Sequence, residues 1–353
     1  MEGKGRGEQP ARKGGAPMRR MTKNLCVLLL MAIFIWGGVT VAPARVFAAK
    51  KVVRVAQQYG LWCAISTIVV QKKLIEKYAP GWEVQESRFA SGADIRTALA
   101  TGRLDVGISG FAPFIKGWAK GLPVKTADVM TAYKHELVTY HTEVKDIHDF
   151  VKLARSKSGF KIGAPAPGSS NHIALQWYLK NHGYDPKILD KYIVKMKHPI
   201  SYQSLLSKQI DAHITSPPYA ILEKKKGMKS IAALWPHPGG WMPNSQVVVN
   251  TKWAEENPEA YQAVVKAFNE AAAWAVSHPR EAAEILAPTL KMSVEETLEQ
   301  LKTEVQYDVS SYDIEKDLLE YANFMYEIGL IKRKPTRLSD FAFPELVQEA
   351  QKR

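Results

Sequence analysis

From Val52 onward, short apolar runs alternate with longer stretches whose apolar positions recur every three or four residues. Residues 52–56 predict a buried strand, and a loop then leads to a helix over 68–78 that stops at Pro80-Gly81. Residues 82–89 alternate like a second strand. Residues 93–100 predict a helix ending at Gly102, and 104–110 a strand entered by Asp105. The order then returns: a strand at 161–164, a helix at 169–181 closed by Gly183, a strand at 192–196, a short helix at 202–207, and an Asp211-led strand at 210–216. Ile162 lies 107 residues after Val55, Asp211 lies 106 after Asp105, and Leu205 lies 106 after Leu99. Pro113, and Pro217 or Pro218, break the Asp-led strands. Two lobes of similar build, each about 100 residues long, explain the offsets; chance likeness between ordinary βα units is the alternative.

Residues 246–250 read as a strand that returns the chain to the first lobe. Helices follow from Asn257-Pro258-Glu259 to His278-Pro279, then over 279–286, 293–305 and 314–328, with Ser293 and Glu296 at capping-box spacing. The predicted class is α/β, with a mainly parallel sheet flanked by helices in each lobe and extra helices at the C-terminal end. The first lobe is expected to be discontinuous, comprising 50–137 and 246–353, with 138–245 as the second.

The N-terminal stretch differs from the rest. Residues 1–48 hold eight Lys/Arg and two Asp/Glu, and 25–41 carry no charge. A basic segment, an apolar run and Val46-Phe47-Ala48 predict a signal peptide cleaved after Ala48, with export to the periplasm. A retained membrane anchor is the alternative, since about 20 apolar residues can span a bilayer. Met18 and Met21 each offer a start that gives a signal of ordinary length.

The chain has 353 residues, 46% apolar and 24% charged, with a formal charge of +13 and two cysteines. Such composition excludes a disulfide scaffold and a Cys-based zinc site. The basic excess comes without dense basic runs interleaved with aromatics, so no nucleic-acid partner is expected. HExxH, GxSxG and Gly-Lys-Ser/Thr phosphate loops are absent, and the nine histidines lack metal spacing. No catalytic residue, metal or cofactor is expected.

The positive signals lie where strands give way to helices, the usual ligand position in parallel sheets. Gly168, Ser169, Ser170 and Asn171 combine small residues, hydroxyls and a helix start, which favour an anion; plain N-capping by Ser169 or Ser170 is the bland alternative. Gly110 and Phe111 end the first Asp-led strand, and Ser216 and Tyr219 follow the second. Tyr59 and Trp62, after the first strand, offer an apolar wall with a polar tip. Arg88, near the end of the second strand, is the best-placed cation for an anionic ligand.

These residues carry a resemblance. Thr101-Gly102-Arg103-Leu104-Asp105-Val106-Gly107-Ile108-Ser109-Gly110, with Pro113 and Gly121-Leu122-Pro123, resembles the first lobe of the nitrate/sulfonate/taurine-binding group of periplasmic solute-binding proteins. Gly168-Ser169-Ser170-Asn171-His172, Gln209-Ile210-Asp211-Ala212 with Pro217-Pro218-Tyr219, and Asn257-Pro258-Glu259 continue it in order over about 50–300. The resemblance implies a two-lobed, type II-like periplasmic-binding-protein fold. It also implies a non-enzymatic, monomeric protein that closes over a small-molecule ligand and delivers it to the permease of an ABC transporter with its ATPase. Carried over, it favours Gly110, Gly168, Ser169, Ser170 and Ser216 as cleft residues. The loop from Gln58 to Cys63 departs from the pattern: it is aromatic and has no charged anchor. A related pyrimidine-synthesising enzyme group carries a Cys-rich segment, against which the single cysteine after residue 48 argues. A membrane-anchored sensing domain and an enzyme on the same scaffold are the rival readings.

Overall fold

A computed structural model describes residues 51–235 and 237–350. The signal-peptide reading of 1–48 lies outside them. The chain runs β1 (Lys51–Gln57), α1 (Ile65–Gln71), α2 (Leu74–Tyr78), β2 (Trp82–Arg88), α3 (Gly92–Ala100), β3 (Val106–Gly110), α4 (Phe111–Trp118), β4 (Val124–Lys134) and β5 (Glu136–Thr139). It continues through α5 (Ile147–Ser156), β6 (Ile162–Ala164), α6 (Ser170–Asn181), β7 (Ile193–Lys195), α7 (His198–Leu206), β8 (Ala212–Thr215), α8 (Tyr219–Lys225), β9 (Lys229–Ala233) and β10 (Trp241–Asn250). The last elements are α9 (Thr251–Glu256), α10 (Pro258–Ser277), α11 (Pro279–Leu290), α12 (Val294–Thr303), β11 (Val305–Gln306), α13 (Ile314–Glu327) and α14 (Pro344–Ala350).

The strands form two sheets, ordered β11-β4-β10-β3-β1-β2 and β7-β6-β8-β5-β9. In the first, β1 pairs in parallel with β2 and β3; in the second, β6 pairs in parallel with β7 and β8. Each sheet therefore holds the same parallel three-strand unit, with the 106–107-residue offset between equivalent strands. The remaining pairings are antiparallel, because the chain crosses between sheets at His135 and returns between Ala233 and Trp241. The expectation of mainly parallel sheets thus holds for these units, and each sheet as a whole is mixed.

Helices cover both faces of each sheet, so the parallel strands read as apolar runs. Val53, Val55, Ile65, Ile68 and Phe268 share one core on the first sheet, and Ile95, Leu99 and Phe114 another on its opposite face. The predicted helix over 68–78 is two pieces, α1 and α2, because Lys73 takes a left-handed φ of 50° between them. Pro113 does not break a strand; it sits in the first turn of α4, where a missing N–H costs nothing. Ser293 and Glu296 form the predicted capping box.

A third core joins elements of both sheets. Tyr321 of α13 is fully buried, 5.3 Å from Phe111 of α4 and 4.9 Å from Trp235, centroid to centroid. Phe324, one turn-face away, meets Trp177 of α6 at 4.8 Å, and Phe341 meets Phe111 at 5.4 Å.

Candidate functional site

The C-terminal ends of β1, β3, β6 and β8 converge. β1 leads through Gln58, Tyr59 and Gly60 into a short 3-10 turn, Leu61–Cys63. Gly60 has φ 153°, and a Cβ there would lie 2.4 Å from Trp62 Nε1, so the turn requires glycine. From the other sheet, β8 leads through Ser216 into α8. The two loops touch: Leu61 N–H donates to the Pro217 carbonyl at 3.2 Å.

Beside this contact lies a cavity of about 360 Å³. Arg88, Lys197 and Lys291 line it, and no carboxylate does. None of the three cations forms an ion pair among the described residues. Arg88 Nη1 donates to the Thr289 carbonyl at 3.3 Å, which anchors the guanidinium near the end of α11. Lys197 Nζ stands 5.5 Å from the centroid of the Tyr59 ring, reaching across from the second sheet. Tyr59 and Tyr219 form aromatic walls; Ala64, Pro199, Ile200 and Leu290 add apolar surface. Burial pushes the Tyr219 phenol well above its ordinary range, so its hydroxyl stays a donor. Gln58, also on the wall, accepts from Ser109 Oγ through its Oε1. Unpaired cations, a few polar groups and apolar walls suit an organic anion.

A second group of expected site residues forms a buried polar junction. Phe111 N–H donates to Asn244 Oδ1 at 2.9 Å. That fixes the Asn244 amide, whose Nδ2 donates to Tyr133 Oη at 3.0 Å and His135 Nε2 at 3.1 Å. His135 then carries its proton on Nδ1, 3.1 Å from Ser216 Oγ. Asn171 Nδ2 donates to the same Ser216 Oγ at 2.9 Å and to the Ile214 carbonyl at 3.0 Å. Ser170 Oγ accepts from Ala112 N–H at 3.4 Å, and a Cβ on Gly110 would lie 2.3 Å from that oxygen. Burial, with His198 nearby, lowers the His135 pKa to about 3, so the ring is neutral.

The ten residues picked from sequence therefore separate. Tyr59 and Tyr219 line the cavity. Gly110, Phe111, Ser170, Asn171 and Ser216 meet in the junction, where Phe111 turns its ring into the shared aromatic core. Trp62 is 2% exposed and stacks on Tyr133 at 4.8 Å. Gly168, at φ 70°, donates its N–H to His172 Nδ1 at 2.8 Å and faces Lys116; Ser169 caps α6. Lys197, Ile200 and Lys291 were not singled out from sequence. For Lys197 a signal existed: the 107-residue offset carries Arg88 onto Lys195, two residues away. Lys291 comes from the C-terminal helices, which have no counterpart in the repeat. Among the described residues, no group of three or more His, Cys, Asp or Glu could hold a metal ion, and no helix is long and apolar enough to cross a membrane.

Comparison with known proteins gives concordant likenesses. The model of the NMT1-like family matches residues 52–290. A Bacillus subtilis (strain 168) protein named for binding aliphatic sulfonates is 26% identical over 325 residues, covering 89% of this chain and 92% of its own. A Brucella abortus (strain 2308) protein named only as a binding protein is 28% identical over 264 residues, covering 72% and 76%. Among solved structures, the alkanesulfonate-binding protein SsuA of Xanthomonas axonopodis pv. citri, bound to MOPS, aligns with a TM-score of 0.67 at 18% identity, over 84% of this chain and 99% of its own. The periplasmic nitrate-binding protein NrtA of Synechocystis PCC 6803 aligns with a TM-score of 0.71 at 16% identity, over 86% and 88%. At such identities these structures establish the fold, a two-lobed periplasmic-binding-protein architecture.

Proposed function

This chain belongs to the NMT1-like family, and from that premise we propose that it is a solute-binding protein that captures a small organic anion and hands it to an ABC importer. The cavity carries this reading: three cations without carboxylate partners, walled by Tyr59 and Tyr219. Arg88 holds the anionic group, and the tyrosines with Ile200 and Leu290 enclose the rest. The residues of the polar junction, with the turn at Gly168 and Ser169, close the two lobes around the ligand. Those lobes are 50–137 with 246–353, and 138–245; the strand crossings, at His135 and before Trp241, lie within about five residues of these bounds. Binding, not turnover, is the activity, and the mature exported chain begins at Ala49. The relatives named above for sulfonates and nitrate support the anionic class.

Titration calorimetry with nitrate, ethanesulfonate and propane-1-sulfonate tests the ligand class. At least one should bind, and Arg88→Gln should weaken it by tenfold or more, about 1.4 kcal/mol. The reading fails if no anion binds the folded protein, or if Arg88→Gln leaves affinity unchanged. Ligand-dependent stimulation of the partner ATPase in a reconstituted permease tests delivery.

A further inference from the structure

The second sheet's side of the cavity wall comes from two short stretches: Lys197, Pro199 and Ile200 at the start of α7, and Tyr219 at the start of α8. Behind them runs a buried hydrogen-bonded chain. His198 Nδ1 lies 2.8 Å from His213 Nε2, and His213 Nδ1 lies 2.6 Å from Glu223 Oε1. His198 is 3% exposed; His213 and Glu223 are fully buried. His198 sits between Lys197 and Pro199, and its ring stacks on that of Tyr219 at 5.7 Å with a 19° interplanar angle. Glu223 follows Tyr219 by four residues on α8, so both share a helix face. His213 comes from β8, between the two helices. The chain therefore connects both wall-bearing stretches to one strand.

We propose that His198 and His213 are positioning residues for ligand binding: through their link to Glu223 they hold Lys197, Ile200 and Tyr219 in place, although neither histidine lines the cavity. The proposal rests on the reading of that cavity as the binding site. Its physical basis is directional. Burial keeps both imidazoles neutral and pushes the Glu223 carboxyl above its ordinary range. Each link then has one donor and one acceptor, which fixes the ring planes; an N···N link needs one bare nitrogen facing one N–H. His198 Nε2 has no partner among the described residues, so the His213 link is the hydrogen bond that orients this ring. A buried, hydrogen-bonded polar chain shielded from bulk solvent gives the wall a single arrangement. Misplacing such a wall by a fraction of an ångström weakens the contacts it makes.

Two variants separate positioning from bulk stability. His198→Phe keeps a ring against Tyr219 but makes no hydrogen bond to His213. His198→Gln keeps an acceptor and a donor. Affinity for whichever of nitrate, ethanesulfonate and propane-1-sulfonate binds the wild type is measured by calorimetry, with thermal melting alongside. Amide hydrogen exchange on the ligand-free full chain reports on 196–206 and 219–225. The phenylalanine variant should bind at least tenfold more weakly, with protection lost in both segments together, and the glutamine variant should recover most of both. Wild-type affinity and protection in His198→Phe, or equal losses in the two variants, would overturn the proposal. If none of the three anions binds the wild type, the anion reading falls, and the exchange pattern alone decides whether the chain positions the wall.

Discussion

Asp211 stands in the second sheet as Asp105 stands in the first. Asp105 Oδ2 accepts the backbone N–H of Arg54 at 2.8 Å, and Asp211 Oδ2 accepts that of Lys161 at 2.8 Å. Each aspartate also returns its own N–H, to the Arg54 carbonyl at 3.0 Å and the Lys161 carbonyl at 2.8 Å. Arg54 adds its guanidinium to Asp105 at 2.5 and 3.0 Å. Asp211 instead gathers His141 at 3.0 Å, Tyr140 at 3.1 Å and the Lys157 ammonium. The sequence repeat is thus a repeat of one strand-pairing device.

Removing either carboxylate leaves a strand N–H and one or more cations without their acceptor. Asp105→Ala and Asp211→Ala should each lower unfolding free energy by about 3 kcal/mol in urea. Burial raises the Asp211 pKa, but Lys157, His141 and the Lys161 N–H outweigh it and leave it below the ordinary value. Its contribution is therefore present above pH 3.8 and is lost as pH falls through the lower folded value. A loss below 1 kcal/mol in both variants would contradict this role.

His135 gives a second acid dependence. Its pKa is about 3 when folded against 6.5 when unfolded, so between those values the unfolded chain binds the extra proton. Stability is fully present above pH 6.5 and falls toward pH 3, by up to about 1.4 kcal/mol per pH unit from this ring. Urea unfolding from pH 7 to 4 should show that slope. His135→Gln should remove one ring's share of it, leaving that of the equally buried His198 and His213, while lowering stability throughout because the junction loses its fitted ring.

Gly110 and Gly168 should fail differently. A methyl on Gly110 meets Ser170 Oγ at 2.3 Å and Ser170 Cβ at 2.9 Å, so Gly110→Ala should cost about 1–3 kcal/mol by overpacking. Gly168→Ala meets only the end of Lys116, which can move, and should cost about 1 kcal/mol through its φ of 70°. Paired melting curves decide; equal costs would mean that the junction yields freely.

Cys63 is fully buried, and burial pushes its thiol far above the ordinary range. A thiol reagent should leave Cys63 unmodified in the folded protein and label it after denaturation, as read by peptide mass mapping. Labelling of folded protein at Cys63 would show that the loop after β1 opens readily.

The fold was legible because β-branched runs, glycine stops and the paired aspartates recur at one offset. β4 was missed: Lys125, Thr126 and Asp128 interrupt its apolar pattern, and pairing with β10 holds it instead. The cavity was half legible. Strand ends and small residues pointed to loops that border the cavity and the junction, but composition does not say which way an aromatic faces. Tyr59 lines the cavity, whereas Trp62, three residues on, is turned inward by the 3-10 turn. Lys291 arrives from a helix distant in sequence, and only the folded chain brings it beside Arg88.

The placement of Tyr321 has a mechanical corollary. Between Phe111 and Trp235 it acts as a fulcrum, since drawing the sheets apart there would wet three aromatic rings at roughly 25 cal/mol for every square ångström exposed. On the cavity side the contacts are polar and mostly solvated: Lys197 over Tyr59, one N–H from Leu61 to Pro217, and the exposed pairs Lys195–Asp94 at 3.9 Å and Lys225–Glu299 at 2.8 Å. The seam is stiff at one end and weakly latched at the other, so a solute should enter by a one-sided yawn, with Lys197 and Tyr59 as its lips.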